Sequence, residues 1–207
     1  SLVGSIGVLM DGFGFTGTME KLGVHKRDIM VDRVVAARDA QSEAKEQFLT
    51  AMEQFKGVVA FQGGDLEREY HRLDATLRQS EASAAAVRER IGAVEDVSEA
   101  LFSEWEAELG QYSSDALRQA SQRKYDATKR KYTQLLAAMK RAEARLEPVL
   151  VPLRDQVLFM KHNLNARAIA GLGEEVVSVQ ANVDKLVREM ESAITQADAF
   201  IAELQAE

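Results

Sequence analysis

An all-α fold follows from three features of this chain. Apolar side chains recur every seven residues over most of its length, proline is nearly absent, and no segment alternates apolar with polar residues between turn signals. Only 2 prolines and 6% aromatic residues accompany 29% charged residues and abundant Ala, Glu, Arg and Leu, the composition of long helices. The architecture expected is an antiparallel four-helix bundle with a protruding two-helix coiled-coil stalk. Residues 25–207 would form that domain, behind an apolar, glycine-rich N-terminal segment at 1–24.

In that first segment Gly4, Gly7, Gly12, Gly14, Gly17 and Gly23 interrupt Leu2, Val3, Ile6, Val8, Leu9, Met10, Phe13 and Phe15. Glycine opposes a soluble helix by about 1 kcal/mol per residue against alanine. The segment therefore reads either as an unstructured apolar terminus or, through those eight apolar side chains, as a membrane-inserting or assembly element.

Helical spacing begins at Asp28. Val31, Val34, Val35, Phe48, Met52, Phe55 and Val59 fall three and four apart, with Ala37, Ala40 and Ala44 between them, as far as Phe61. Gln62-Gly63-Gly64-Asp65 then supplies a stop and a start, glycine after one helix and Asp65 as N-cap of the next. The second helix carries Leu66, Leu73, Ser80, Val87, Val94 and Leu101 as one heptad series. Tyr70, Leu77, Ala84, Ile91, Ser98, Trp105 and Tyr112 form the other. Gly110 and Ser113-Ser114-Asp115 end it. The third helix runs on Tyr125, Tyr132, Met139, Leu146, Leu153 and Met160 with Thr128, Leu135, Ala142 and Val149, kinked where Pro148 and Pro152 remove donors. After Gly171 and Gly173 the fourth uses Val176, Val183, Met190, Ala197 and Leu204 with Val179, Leu186, Ala193 and Phe200.

Read this way, the first and fourth helices have about 34 residues and the middle two approach 50. The inner pair would then outreach the outer by roughly 20 Å, as a stalk. An acidic stretch (Glu95, Asp96, Glu99, Glu104, Glu106, Glu108) would face a basic one (Arg118, Arg123, Lys124, Lys129, Arg130, Lys131) across it. Phe102, Trp105, Leu109, Tyr112 and Leu117 gather near its end, an expected exposed contact patch.

Chemistry is hard to find. The chain lacks cysteine, so it has no disulfide, thiolate ligand or thiol nucleophile. Its three histidines, His25, His71 and His162, do not occur in the Glu-x-x-His pairs of a di-metal bundle. Gly12-Phe13-Gly14-Phe15-Thr16-Gly17 lacks the Gly-Lys-Ser/Thr ending of a phosphate loop. A formal charge of −7 argues against a nucleic-acid partner. What remains is a polar base at His71, His162, Asn163, Asn165 and Arg167, read as helix capping or, alternatively, a small-ligand or lipid-headgroup pocket.

Four strings carry a family resemblance: Met19-Glu20-Lys21-Leu22-Gly23-Val24-His25-Lys26-Arg27-Asp28-Ile29-Met30-Val31-Asp32-Arg33-Val34; Glu43-Ala44-Lys45-Glu46-Gln47-Phe48; residues 154–169, with Lys161-His162-Asn163-Leu164-Asn165-Ala166-Arg167-Ala168 the most specific part; and Asp198-Ala199-Phe200-Ile201. Across residues 18–204 the chain resembles an uncharacterised proteobacterial family known as domain of unknown function 2959. The resemblance implies an envelope protein, since members tend to begin with a lipoprotein signal, and implies no activity. Here Met10-Asp11-Gly12-Phe13 departs from that pattern, with Phe13 in place of the cysteine that would be acylated, while Leu2 to Met10 reads as the apolar part of a signal segment.

The expectation for function is a non-enzymatic scaffold of the cell envelope, on its periplasmic side or membrane-associated, with neither cofactor nor metal. It would self-associate as a homo-oligomer or hold partners through its long helices. The alternative is a membrane-remodelling protein of phage-shock or ESCRT-III-like type, assembling on membranes through its N-terminal segment.

Overall fold

The computed structural model describes residues 14–60, 65–165, 169 and 171–206, with side chains from residue 27 onward. The described residues form five helices and no strand: α1 (Gly14–Val59), α2 (Leu66–Leu109), α3 (Asp115–Ala144), α4 (Leu146–His162) and α5 (Gly173–Ala206). Together they make a helical bundle. Asp65 caps α2 by accepting from the Arg68 N–H at 3.0 Å, and Ser114 caps α3 by accepting from Leu117 N–H at 3.4 Å, each relieving an orphan donor of a first turn.

The polar contacts between helices set direction. Arg38 reaches Asp198 and Lys45 reaches Glu191, so numbers rise along α1 as they fall along α5. The same inverse order joins α2 to α3 and α4 through Glu95–Lys140, Arg88–Glu147 and Glu81–Arg154. It joins α3 to α5 through Lys131–Glu203 and Arg141–Glu189. Each helix therefore runs opposite to the neighbour it pairs with. These ion pairs are partly exposed and worth under about 1 kcal/mol each; burial of the seams holds the bundle together.

Those seams are the heptads. Leu73, Leu77, Ser80, Ala84, Val87, Ile91, Val94, Ser98 and Leu101 of α2 are buried, as are Leu135, Met139, Ala142, Leu146, Val149, Leu153 and Met160 of α3 and α4. Val179, Val183, Leu186, Met190, Ala193, Ala197 and Phe200 line α5, and Val34, Ala37, Ala44, Phe48, Met52 and Phe55 line α1.

Two departures from the expected helices matter. First, α1 begins at Gly14, not Asp28, and is 46 residues long against 44 for α2. Four glycines from Gly14 to Gly57 do not stop it, which shows how far propensity yields to context. The length difference from which a two-helix stalk was inferred is therefore absent between these two helices. Second, the break expected at the prolines falls one turn earlier, at Arg145, whose N–H turns back to the Ala142 carbonyl at 3.0 Å. Pro148 sits in the first turn of α4, where a missing N–H matters least, and its ring disfavours a helical carbonyl four residues before it, at Ala144.

Pro152 lies inside α4 and leaves the Pro148 carbonyl without its helical donor. Asn182 of α5 supplies one, its Nδ2 donating to Pro148 O at 3.2 Å. Replacing Asn182 with Ala is expected to destabilise the bundle by about 1 kcal/mol in urea titration. In a Pro152→Ala background, where the backbone supplies the donor, the same replacement should have a smaller effect; equal effects in both backgrounds would refute the coupling.

Gln41, in the middle of α1, is completely buried, and neither its Nε2 nor its Oε1 has a hydrogen-bond partner. Ala37 and Ala44 lie one turn to either side, and the α1–α5 register brings Ala193 and Ala197 level with it. An unpaired buried amide is destabilising. Gln41→Leu should accordingly raise the denaturation midpoint, by about 1–3 kcal/mol of stability.

Candidate functional site

The residues expected to form an exposed tip do not do so. Phe102 and Leu109 are only 6% and 7% exposed, packed in the core, and Phe102 lies against α3. Phe102 meets Tyr125 edge-on at 5.7 Å and Tyr132 at 5.3 Å, and Trp105 meets Tyr125 edge-on at 5.7 Å. The Trp105 indole donates to Ser121 Oγ at 2.9 Å. Lys129 lies 4.9 Å from the Tyr125 ring centre and donates to its hydroxyl at 2.6 Å, which pushes the lysine above its usual range. Burial likewise pushes the Tyr132 phenol up, although its hydrogen bond with Ser98 works the other way. This cluster fastens α2 to α3. Tyr112 and Leu117 alone of the expected patch are exposed. Of the two charge runs, Glu95 meets Lys140 at 2.7 Å, Glu106 acts on Lys129, and Arg118 bonds to Asp115 of its own helix.

The polar base resolves into separate roles. Asn163 caps the C-terminus of α4, its side-chain Nδ2 donating to Phe159 O at 2.9 Å and its N–H to Met160 O at 3.1 Å. Asn165 N–H bonds to Asn163 O at 2.7 Å, tightening the turn that follows. His71 is exposed, 3.8 Å from Glu67 one turn back, and stacks obliquely on Tyr70. His162 is exposed at the end of α4. Arg167, Leu2, Val3, Ile6, Val8, Leu9, Met10 and Phe13 lie outside the described residues, as does the side chain of Phe15.

Among the described residues no three His, Asp or Glu groups gather as metal ligands, and no helix is long and apolar enough to cross a membrane. An open groove of about 500 Å³ runs between α1 and α2, lined by Leu49, Gly57 and Val58 with Glu53, Glu69 and Arg72 at its rim. The rim charges are already engaged, Arg72 with Glu69 and Glu53 with Lys56.

The conspicuous surface lies on α4. Val151, Leu158, Phe159 and the following Leu164 are 40–57% exposed, at spacings that set the first three on one side of the helix. Glu147 and Arg154 mark the edge toward α2, bonded to Arg88 and Glu81, and Pro148 marks the edge toward α5. The stripe between them faces outward. Heptad counting misses it because these residues fall outside the seam; the surplus of apolar residues in Leu146–Met160 was the available signal.

A family model matches residues 15–204, described as Protein of unknown function (DUF2959). The chain belongs to this family. No curated protein matches it. Membership of DUF2959 agrees with the resemblance seen in the Lys161–Ala168 string and brings no activity with it.

Truncating Phe102 to Ala should destabilise the fold by about 3–5 kcal/mol through lost core packing. Trp105 is the only tryptophan, so its emission in that variant reports on the α2–α3 fastening directly and should shift to the red; an unchanged spectrum would place Phe102 outside it. The Arg88 and Arg154 guanidiniums hold Glu147 below the usual carboxylate range, Arg88 contributing most. A depressed carboxylate adds stability above its unfolded pKa and loses it as pH falls through the folded one. Acidification from about pH 7 to about pH 3 should therefore erode wild-type stability more than that of Glu147→Gln, by less than about 1 kcal/mol because the pair is half exposed.

Proposed function

We propose that this protein is a non-enzymatic scaffold of the bacterial cell envelope, acting through contacts that its helices make with copies of itself or with partners. The observation that carries the reading is the apolar stripe on α4. All four seams of the bundle are hidden inside it, yet Val151, Leu158 and Phe159 remain outside on a rigid helix. Apolar patches kept at the surface of an otherwise well-covered fold mark contact surfaces. The shape suits the role, since α2 alone spans about 66 Å at 1.5 Å per residue. Envelope placement rests on Leu2 to Met10, whose apolar character suits a segment directed to or held at a membrane.

Sedimentation velocity of the purified chain and fractionation of cells producing it test the two halves of this reading. Masses above the monomer that rise with concentration, and recovery with membranes or periplasm, are expected. A strict monomer found wholly in the cytosolic fraction would overturn it.

A second reading, membrane remodelling of phage-shock or ESCRT-III-like type, draws support from the apolar N-terminal residues leading directly into a 46-residue helix. Incubation with anionic liposomes separates the two. Tubes or filaments by electron microscopy favour remodelling; unchanged vesicles remove it.

A further inference from the structure

We infer that the side of the bundle formed by α3 and α4 docks on an anionic lipid bilayer, the rod lying lengthwise with the outward face of α3 against the headgroups. This rests on the envelope placement proposed above and names what the protein meets there, a surface of lipid phosphates. Three observations converge on it.

The first is charge. α3 carries eight Lys and Arg against three acidic residues, an excess of five positive charges within 30 residues of a chain whose formal charge is −7. Arg118, Arg123, Lys129, Arg130, Lys140 and Arg141 are all exposed. At 3.6 residues per turn they share one side of the helix, away from the buried Tyr125, Thr128, Leu135 and Met139. Asp115 and Asp126 lie on that side too, bonded to Arg118 and Gln122. Acids of neighbouring helices approach from the flanks, Glu95 and Glu106 of α2 at Lys140 and Lys129, and Glu189 of α5 at Arg141. Arg123 and Arg130, one heptad apart, have no ion pair or side-chain hydrogen bond among the described residues. Their guanidiniums are free for phosphate oxygens.

The second is continuity. α3 and α4 both pack against α2, through Glu95–Lys140 and Arg88–Glu147, and both against α5, through Arg141–Glu189 and the Asn182 bond to Pro148. Their outward faces therefore share one side of the rod, and the basic face of α3 runs on into Val151, Leu158 and Phe159 of α4. Basic residues beside exposed apolar ones suit the boundary between headgroups and acyl chains.

The third is the place of the N-terminal segment. Gln47 donates to Thr76 O at 3.3 Å, and Gln54 accepts from Thr76 Oγ1 at 2.5 Å, which sets α1 antiparallel to α2. With 46 and 44 residues, the two helices bring Gly14 to the end of the rod where α3 begins. The 13 residues before it, Leu2 to Met10 among them, can extend at most about 45 Å. That exceeds the roughly 20 Å thickness of two packed helices, so the apolar segment can reach the plane that α3 faces. An apolar anchor joined to a basic patch is the two-signal pattern of stable attachment. A flat bilayer also touches this side alone, whereas a nucleic acid would be repelled by the net charge of −7.

Cosedimentation of the full chain with vesicles tests this. Binding is expected to phosphatidylcholine vesicles containing phosphatidylglycerol, to be much weaker without the anionic lipid, and to fall between about 0.05 and about 0.5 M salt. Arg123→Glu with Arg130→Glu should weaken it at least about tenfold and keep the circular dichroism melt of the wild type. Arg33→Glu with Arg68→Glu, the same charge change at exposed positions on α1 and α2, should leave most of it. The chain has no cysteine, so Thr133→Cys carries a single environment-sensitive dye on the outward side of α3. Its emission should shift to the blue on anionic vesicles, and that of a dye at Ser42→Cys of α1 should not. If the protein is recovered with the envelope but the two arginine double variants bind alike, α3 is not the docking face and the envelope placement stands. Binding indifferent to lipid charge and salt assigns attachment to the apolar segment alone and overturns the inference. So does a loss of self-association in Arg123→Glu with Arg130→Glu while vesicle binding persists, which would make this face a protein contact. A wild type that ignores anionic vesicles overturns it outright, and recovery of the protein wholly in the cytosol removes the envelope placement as well.

Discussion

Everything in this molecule depends on hiding two rows of side chains per helix from water. A heptad seam on a single helix exposes a continuous apolar strip, and only neighbouring helices laid along it at a small angle can cover that strip from end to end. The inverse order of Arg38–Asp198, Arg88–Glu147 and Arg141–Glu189 records the outcome. Those pairs are consequences of the packing and are too exposed to cause it. Ser80, Ser98 and Thr128 are tolerated in the seam because hydroxyls can turn back to a carbonyl of their own helix, as Ser80 does to Thr76 O and Ser98 to Val94 O.

The bundle and its seams were legible because heptad periodicity is a global signal, repeated too often to be imitated by a neighbour's influence. Asp65 and Ser114 were legible as caps for a local reason: a short oxygen acceptor just before a helix has one good use. The start of α1 was not legible. Propensity sums predicted that the glycines between Gly14 and Gly23 would delay it to Asp28, and propensity is a small bias that context overrides.

The candidate site divides along the same line. Phe102 and Leu109 read as surface because they fall outside both seven-residue series counted for α2. In the structure they are buried. The α4 stripe was missed for the opposite reason. Val151, Leu158 and Phe159 sit among so many seam residues that counting cannot tell which will face inward; only the placement of Arg154 and Pro148 against their neighbours orients the helix. Asn163 was recognisable as a terminus residue, and its bond to Phe159 O is the capping its type suggests.

The interruption at Arg145 gives the rod an uneven stiffness. On one side of the bundle the hydrogen-bonded spiral is discontinuous at mid-length, while α1, α2 and α5 pass that level unbroken. Bending strain applied lengthwise would gather at this joint, with α4 swinging as a short rigid arm held by Asn182 on one flank and by the Glu81 and Arg88 contacts on the other. The segment that presents the outward apolar face is thus also the one whose link to α3 passes through a single non-helical residue.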